Sequence, residues 1–204
     1  MATAPLFVHC CHCRWCQRES GASFALNAMI EADRVTVLGA EPELVDTPSA
    51  SGYGQKFADA VFADQNGQEA MDVLYGTSAA IRRNPWIDPR RGGVEGGSYG
   101  GQLSSWLITQ TPMYAAAIPL AAITNIISYN YMTYYNQYEE MEWGMRPHQG
   151  NLMDVLWERS ALKHVAKAKT PTMMVHGEND NDVPIAEAEQ FYIALRDVGV
   201  DAIM

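Results

Sequence analysis

The chain has 204 residues, of which 48% are hydrophobic and 19% charged, an ordinary globular balance that excludes a disordered or collagen-like polypeptide. Acidic residues outnumber basic ones, 24 to 14, for a formal net charge of -10. That excess argues against nucleic-acid backbone or an anionic membrane as partner, because both require a basic face.

All four cysteines crowd the N-terminal region as Cys10, Cys11, Cys13 and Cys16. Disulfides among them would close very small, strained loops, and no other cysteine exists to pair with. Clustered thiols of this kind read as a metal or redox site in a reducing compartment, so the expected location is cytoplasmic. The first eight residues lack a basic segment followed by a long apolar run, so no signal peptide is expected.

Two short strands are expected over residues 24–30 and 34–38, where Val, Ile and Phe lie between polar breaks. Residues 41–54 hold two prolines, two glycines and two serines, which is linker chemistry and the natural boundary. The expected organisation is therefore a cysteine-rich β-type segment over residues 1–51 and a larger unit over 52–204.

Beyond the boundary, Gln68–Arg83 has the apolar spacing of an amphipathic helix, stopped by Asn84-Pro85. A short strand is expected at 93–95, a helix at 102–109, a buried strand at 115–123, an irregular aromatic stretch at 136–150, and broken helix at 153–165. A strand at 172–175, a helix at 185–198 that starts behind Pro184, and a final apolar run from Asp201 complete the order. Strands alternating with helices imply an α/β fold with a parallel sheet. No charged residue lies between Glu95 and Glu139. Pro119, Thr124 and Asn125 interrupt this window, which reads as the buried centre of a parallel sheet and not as a membrane span.

The most specific signal is Gly96-Gly97-Ser98-Tyr99-Gly100-Gly101, a G-x-S-x-G pattern between an expected strand and an expected helix. Small residues are needed where the backbone turns so sharply. The Ser98 hydroxyl then stands at a helix N-terminus, which favours developing negative charge. The peptide N–H of Tyr99 would supply one oxyanion donor. The plainer alternative is a glycine-rich loop with an incidental serine. A second segment, His176-Gly177-Glu178-Asn179-Asp180-Asn181-Asp182-Val183-Pro184, follows an expected strand and precedes a helix, where the acid of a Ser…Asp…His order sits. Its plainer reading is an acidic turn before a helix.

Together with Gly52-Tyr53-Gly54 and Trp157-Glu158-Arg159-Ser160, these segments resemble the catalytic domain of the prolyl oligopeptidase family of serine peptidases, in its acylaminoacyl-peptidase-like branch. The resemblance implies an incomplete α/β-hydrolase fold and cleavage of a peptide or ester substrate through an acyl-enzyme. It places the nucleophile at Ser98 and the acid at Asp180. His176 belongs to the strand-end motif and is not the base. The family's histidine lies beyond the acid, and none of His9, His12, His148, His164 and His176 stands in that order. The family's early strands, the His-Gly-Gly loop and the preceding β-propeller also have no counterpart. The expectation is a serine hydrolase impaired for want of a base, with a first strand whose exposed edge invites self-association.

At the other end, Cys11-His12-Cys13-Arg14-Trp15-Cys16-Gln17-Arg18 carries a C-x-C-x-x-C spacing that suits either one zinc ion or a cluster of free thiols. With Ser20-Gly21-Ala22-Ser23-Phe24 it resembles the glutathione-dependent formaldehyde-activating enzyme family. That resemblance implies zinc on Cys11, Cys13 and Cys16 and a site for carbon–sulfur chemistry, without the family's second, structural zinc. Three readings follow: a serine hydrolase at Ser98, a zinc-binding carbon–sulfur lyase-like module, or a catalytically inert chimaeric chain.

Overall fold

A computed structural model describes residues 61–204, together with the backbone of two strands, β1 (Phe7–Cys11) and β2 (Ala25–Met29), which pair antiparallel. The strand expected at 24–30 coincides with β2. The strand expected at 34–38, the linker at 41–54, Gly52-Tyr53-Gly54 and the side chains of the cysteine cluster lie outside the described residues.

From residue 61 onward the chain alternates helix and strand. The amphipathic period of Gln68–Arg83 becomes helix α1, which ends at Asn84, before Pro85. Strand β3 (Gly93–Gly97) leads into α2 (Tyr99–Gln110), and β4 (Ala116–Leu120) follows. Three short helices, α3 (Ile126–Met132), α4 (Tyr138–Trp143) and α5 (Leu152–Glu158), precede a 3-10 segment, Ala161–Lys167. The chain then forms β5 (Thr172–Met173), α6 (Ala186–Asp197) and β6 (Ala202–Ile203).

Strands β3 to β6 form one parallel sheet in the order β3-β4-β5-β6, with β3 and β6 at its ends. This is the α/β architecture expected from the alternating pattern. Helix α2 packs on β3 and β4. Its Leu103, Leu107 and Ile108 join Val94 and Ala117 of the sheet, Ala70 and Val73 of α1, and Phe191 and Leu195 of α6 in the main core. A second apolar cluster gathers Ile126, Tyr129, Trp143, Leu152, Leu156 and Val183 around the short helices. The charge-free window thus spans the serine turn, α2, β4 and α3, all rich in buried residues. No described helix is long and apolar enough to cross a membrane.

One element departs from expectation, and another stands where none was expected. Residues 136–150 are not wholly irregular, because Tyr138–Trp143 is helical and closes on Gly144 in the left-handed region, φ 70°. Helix α3 starts at Asn125, whose side-chain carbonyl accepts the N–H groups of Ile127 and Ser128. That cap was the available signal. The β-branched and aromatic residues behind it resemble a strand.

Candidate active site

The site begins at the end of β3. Ser98 has φ 57° and ψ -120°, a conformation that L-residues adopt only when the surroundings enforce it. The turn is held on both sides: the Ser98 N–H donates to Leu120 O at 2.9 Å, and the Gln102 N–H donates to Ser98 O at 2.9 Å. Two glycine contacts explain why the pattern needs glycine. A Cβ on Gly96 would lie 2.5 Å from the Gly100 carbonyl carbon, and one on Gly101 would lie 2.5 Å from Leu120 O. The exposed Ser98 precedes α2, whose first N–H groups have no helical acceptor. Tyr99 is the first of these.

Asp180 sits on the loop after β5. Its Oδ1 accepts the N–H groups of Asp182 at 2.9 Å and Val183 at 3.0 Å, closing an Asx-type turn. Its Oδ2 stands 3.8 Å from Nε2 of His176. The His176 side chain is fully buried and its Nε2–H donates to Val183 O at 2.6 Å, stapling the two ends of the loop. His176 therefore shapes the Asp180 loop.

The topology brings the two segments to one edge of the sheet. Ser98 follows β3, Asp180 follows β5, and β4 lies between them. Leu120, at the end of β4, accepts from Ser98 and bridges Val175, two residues beyond β5. Strands β3 and β5 thus lie two strand spacings apart, about 10 Å. Ligands of open parallel sheets bind at this carboxyl edge.

The other described histidines are engaged elsewhere or stand apart. His164 packs edge-on against Trp106, ring centroids 5.2 Å apart, and its Nε2–H donates to Glu158 O at 2.8 Å. His148 is exposed in the loop after α4. Among the described residues no imidazole hydrogen-bonds Ser98. Of the expected zinc ligands, Cys11 ends the backbone of β1, while its side chain and Cys13 and Cys16 lie outside the described residues. No group of three metal-binding side chains occurs among the described residues.

Two features escaped sequence reasoning. Behind the turn, the Tyr99 hydroxyl donates to Glu69 Oε1 at 2.7 Å. Glu69 is 5% exposed, and its carboxylate also accepts the N–H groups of Asn66 and Gly67 at 2.5 and 3.1 Å. Burial raises the Glu69 carboxyl above its ordinary range despite these donors, and burial together with the nearby Glu69 charge raises the Tyr99 phenol. Beside the Asp180 loop, the end of α3 is fastened by Thr133 Oγ1–H to Asp182 O at 2.6 Å and by Tyr134 N–H to Asn181 O at 3.2 Å. Met132, Thr133, Tyr134 and Asn181 line an open recess there, and Tyr131, Tyr134 and Tyr135 expose their rings.

The chain is similar to known proteins over most of its length. The peptidase YuxL of Bacillus subtilis, itself described as uncharacterized, is 39% identical over 155 residues, covering 76% of this chain and 23% of that protein. The acylamino-acid-releasing enzyme of Mus musculus is 27% identical over 182 residues, covering 86% of this chain and 25% of the enzyme. Among solved structures, the acylaminoacyl peptidase of Pyrococcus horikoshii superposes with a TM-score of 0.69 at 25% identity, over 74% of this chain and 25% of that one. A puromycin-hydrolyzing peptidase of Mycobacterium tuberculosis gives a TM-score of 0.68 at 27% identity, over 74% and 23%. The chain spans about a quarter of the length of these relatives, and its parallel sheet is part of an α/β-hydrolase fold. The pattern of the glutathione-dependent formaldehyde-activating enzyme family matches residues 1–79. The pattern of the prolyl oligopeptidase family matches residues 44–204, and over that span the chain belongs to the prolyl oligopeptidase family.

Proposed function

We propose that this chain carries the nucleophile and acid of a serine hydrolase that cleaves peptide or ester bonds through an acyl-enzyme at Ser98. Asp180 orients an imidazole in the gap between the two strand ends, and the peptide N–H of Tyr99 donates to the developing oxyanion. The observation that carries the reading is the enforced backbone of Ser98 at the start of α2, on the same sheet edge as Asp180. An apolar substrate side chain has a surface to meet in the exposed rings of Tyr131, Tyr134 and Tyr135.

Among the described residues no imidazole hydrogen-bonds Ser98, so the base is the weak point of the chain acting alone. Serine without an adjacent base is a poor nucleophile, and residual catalysis then rests on the oxyanion donors and substrate binding. The reading is therefore of a slow hydrolase. A fluorophosphonate probe should label the wild-type chain and not Ser98→Ala. Equal labelling of the two removes the reading.

A second reading concerns residues 1–51, taken as a unit distinct from 52–204. The match over residues 1–79 and the three thiols of Cys11, Cys13 and Cys16 favour zinc at those cysteines. Three thiolates are a fitting donor set for zinc and leave a fourth position open. When bound, the metal would supply Lewis acidity toward a thiol adduct. Metal analysis should find about one zinc per chain, and a Cys13→Ser variant should lose it. Wild-type zinc well below that level would remove the assignment.

A further inference from the structure

We propose that Glu69 is a positioning residue for the serine turn: its carboxylate holds the Tyr99 phenol and thereby fixes the peptide N–H beside Ser98. This rests on the hydrolase reading above and adds a residue from another helix to it.

Between Gly96 and Gly101, four of six residues are glycine and have no side chain to anchor. The Ser98 hydroxyl has to remain free to react. Tyr99 is the one remaining side chain in the segment, so any side-chain anchoring of the turn falls to it. Its hydroxyl reaches Glu69 Oε1 at 2.7 Å. A backbone at φ 57°, ψ -120° persists only where its surroundings over-determine it, and this hydrogen bond is one of the constraints.

The Glu69 end is built to stay in place. The carboxylate caps the start of α1 by accepting from the N–H groups of Asn66 and Gly67. Asn66, 2% exposed, is fastened in turn through Nδ2–H to Arg159 O at 2.8 Å, beyond the end of α5. A carboxylate that merely capped α1 would be satisfied by backbone donors. The phenol, 30 positions along the chain, is the addition that couples this rigid corner to the turn. The direction of the coupling follows from geometry: Tyr99 begins α2, so a shift of its ring shifts the first N–H of the helix. Displacements near 1 Å in such groups can cost about a hundredfold in rate.

The test compares wild type, Tyr99→Phe, Glu69→Ala and the double variant, with Ser98→Ala as the blank, in the rate of phosphonylation by a fluorophosphonate. Each single variant should lower the limiting rate about tenfold while leaving probe affinity within about twofold, because the lost interaction acts on the transition state. The double variant should be no slower than either single one, because Glu69 acts through Tyr99. Unchanged limiting rates, or losses that add in the double variant, overturn the proposal. Amide hydrogen exchange supplies a readout that needs no reactivity. The Ser98 and Gln102 amides, bonded to Leu120 O and Ser98 O, should lose protection in both single variants while those of Phe191 and Leu195 in α6 keep theirs. If the wild type is not labelled at Ser98, the hydrolase reading falls and this exchange pattern alone decides the positioning role. Unchanged protection at Ser98 and Gln102 would refute it.

Discussion

Gly96 and Gly100 face one another across the serine turn so closely that a Cβ on Gly96 would lie 2.5 Å from the carbonyl carbon of Gly100. The atoms it would strike are backbone, and backbone cannot rotate aside as a side chain can. Gly96→Ala should therefore force the end of β3 away from the start of α2. The expected cost is about 2–4 kcal/mol, in the range of severe overpacking, with loss of fluorophosphonate labelling. Gly97→Ala is the matched control, since a Cβ there meets nothing within 4 Å. Urea denaturation of the two variants measures the difference, and equal midpoints would contradict the steric account.

Ser98 itself is held against its conformational preference, which predicts a trade between stability and chemistry. An L-residue in such a region costs about 1–3 kcal/mol, whereas glycine tolerates it with a smaller entropic penalty. Ser98→Gly should raise the stability of the chain by about 1 kcal/mol while abolishing labelling. Ser98→Ala, which retains the Cβ, should abolish labelling without that gain. Thermal or urea unfolding of both variants checks this. A stability no higher for glycine than for alanine would show that the turn is not strained.

Much of the architecture was legible because its causes are local. The amphipathic spacing of Gln68–Arg83, the breaker at Asn84-Pro85 and the sterics of G-x-S-x-G each act within a few residues, and the helix and turn stand where these predict. Helix α3 was not legible in the same way. Ile126, Ile127 and Tyr129 favour a strand, and the Asn125 cap overrides them through two side-chain hydrogen bonds. The Glu69–Tyr99 contact was not legible at all. Glu69 looks like an ordinary acidic residue in the first turn of a helix, and only the packing of α1 beside the turn brings it to Tyr99. The loop after β5 was readable from its turn residues before Pro184, whereas the role of His176 in closing that loop required coordinates.

Glu187 is a buried hub that sequence would treat as helix surface. It is fully buried, and its Oε2 accepts the N–H groups of Thr124 at 3.0 Å and Asn125 at 2.9 Å. Ser128 Oγ–H donates to its Oε1. These donors join the segment after β4 to the start of α6. Glu187→Ala should strand the Thr124 and Asn125 amides in the interior and cost about 3 kcal/mol or more. Glu187→Gln should cost less, because its carbonyl oxygen can still accept. Denaturant midpoints at unchanged slope measure both. An alanine variant within about 0.5 kcal/mol of wild type would refute the hub.

Glu139 predicts how stability varies with pH. It lies in α4 at 1% exposure, and neither carboxylate oxygen has a hydrogen-bond partner among the described residues. Burial, reinforced by the charge of Glu142, pushes its carboxyl up to about 8 from an ordinary 4.5. Between those two values the folded chain holds a proton that the unfolded chain has released. Stability contributed by this group is therefore complete below the ordinary value. It is lost as pH rises toward 8 and flat above that. Glu139→Gln keeps the shape of the protonated side chain and removes the titration. The variant should match wild type near pH 5 and exceed it by about 1–3 kcal/mol near pH 8.5. Glu69 and Glu187, also raised by burial, slope the same way in both proteins, so the difference between the two unfolding curves isolates Glu139. A difference that does not grow with pH across this window would show that Glu139 is already ionised in the fold.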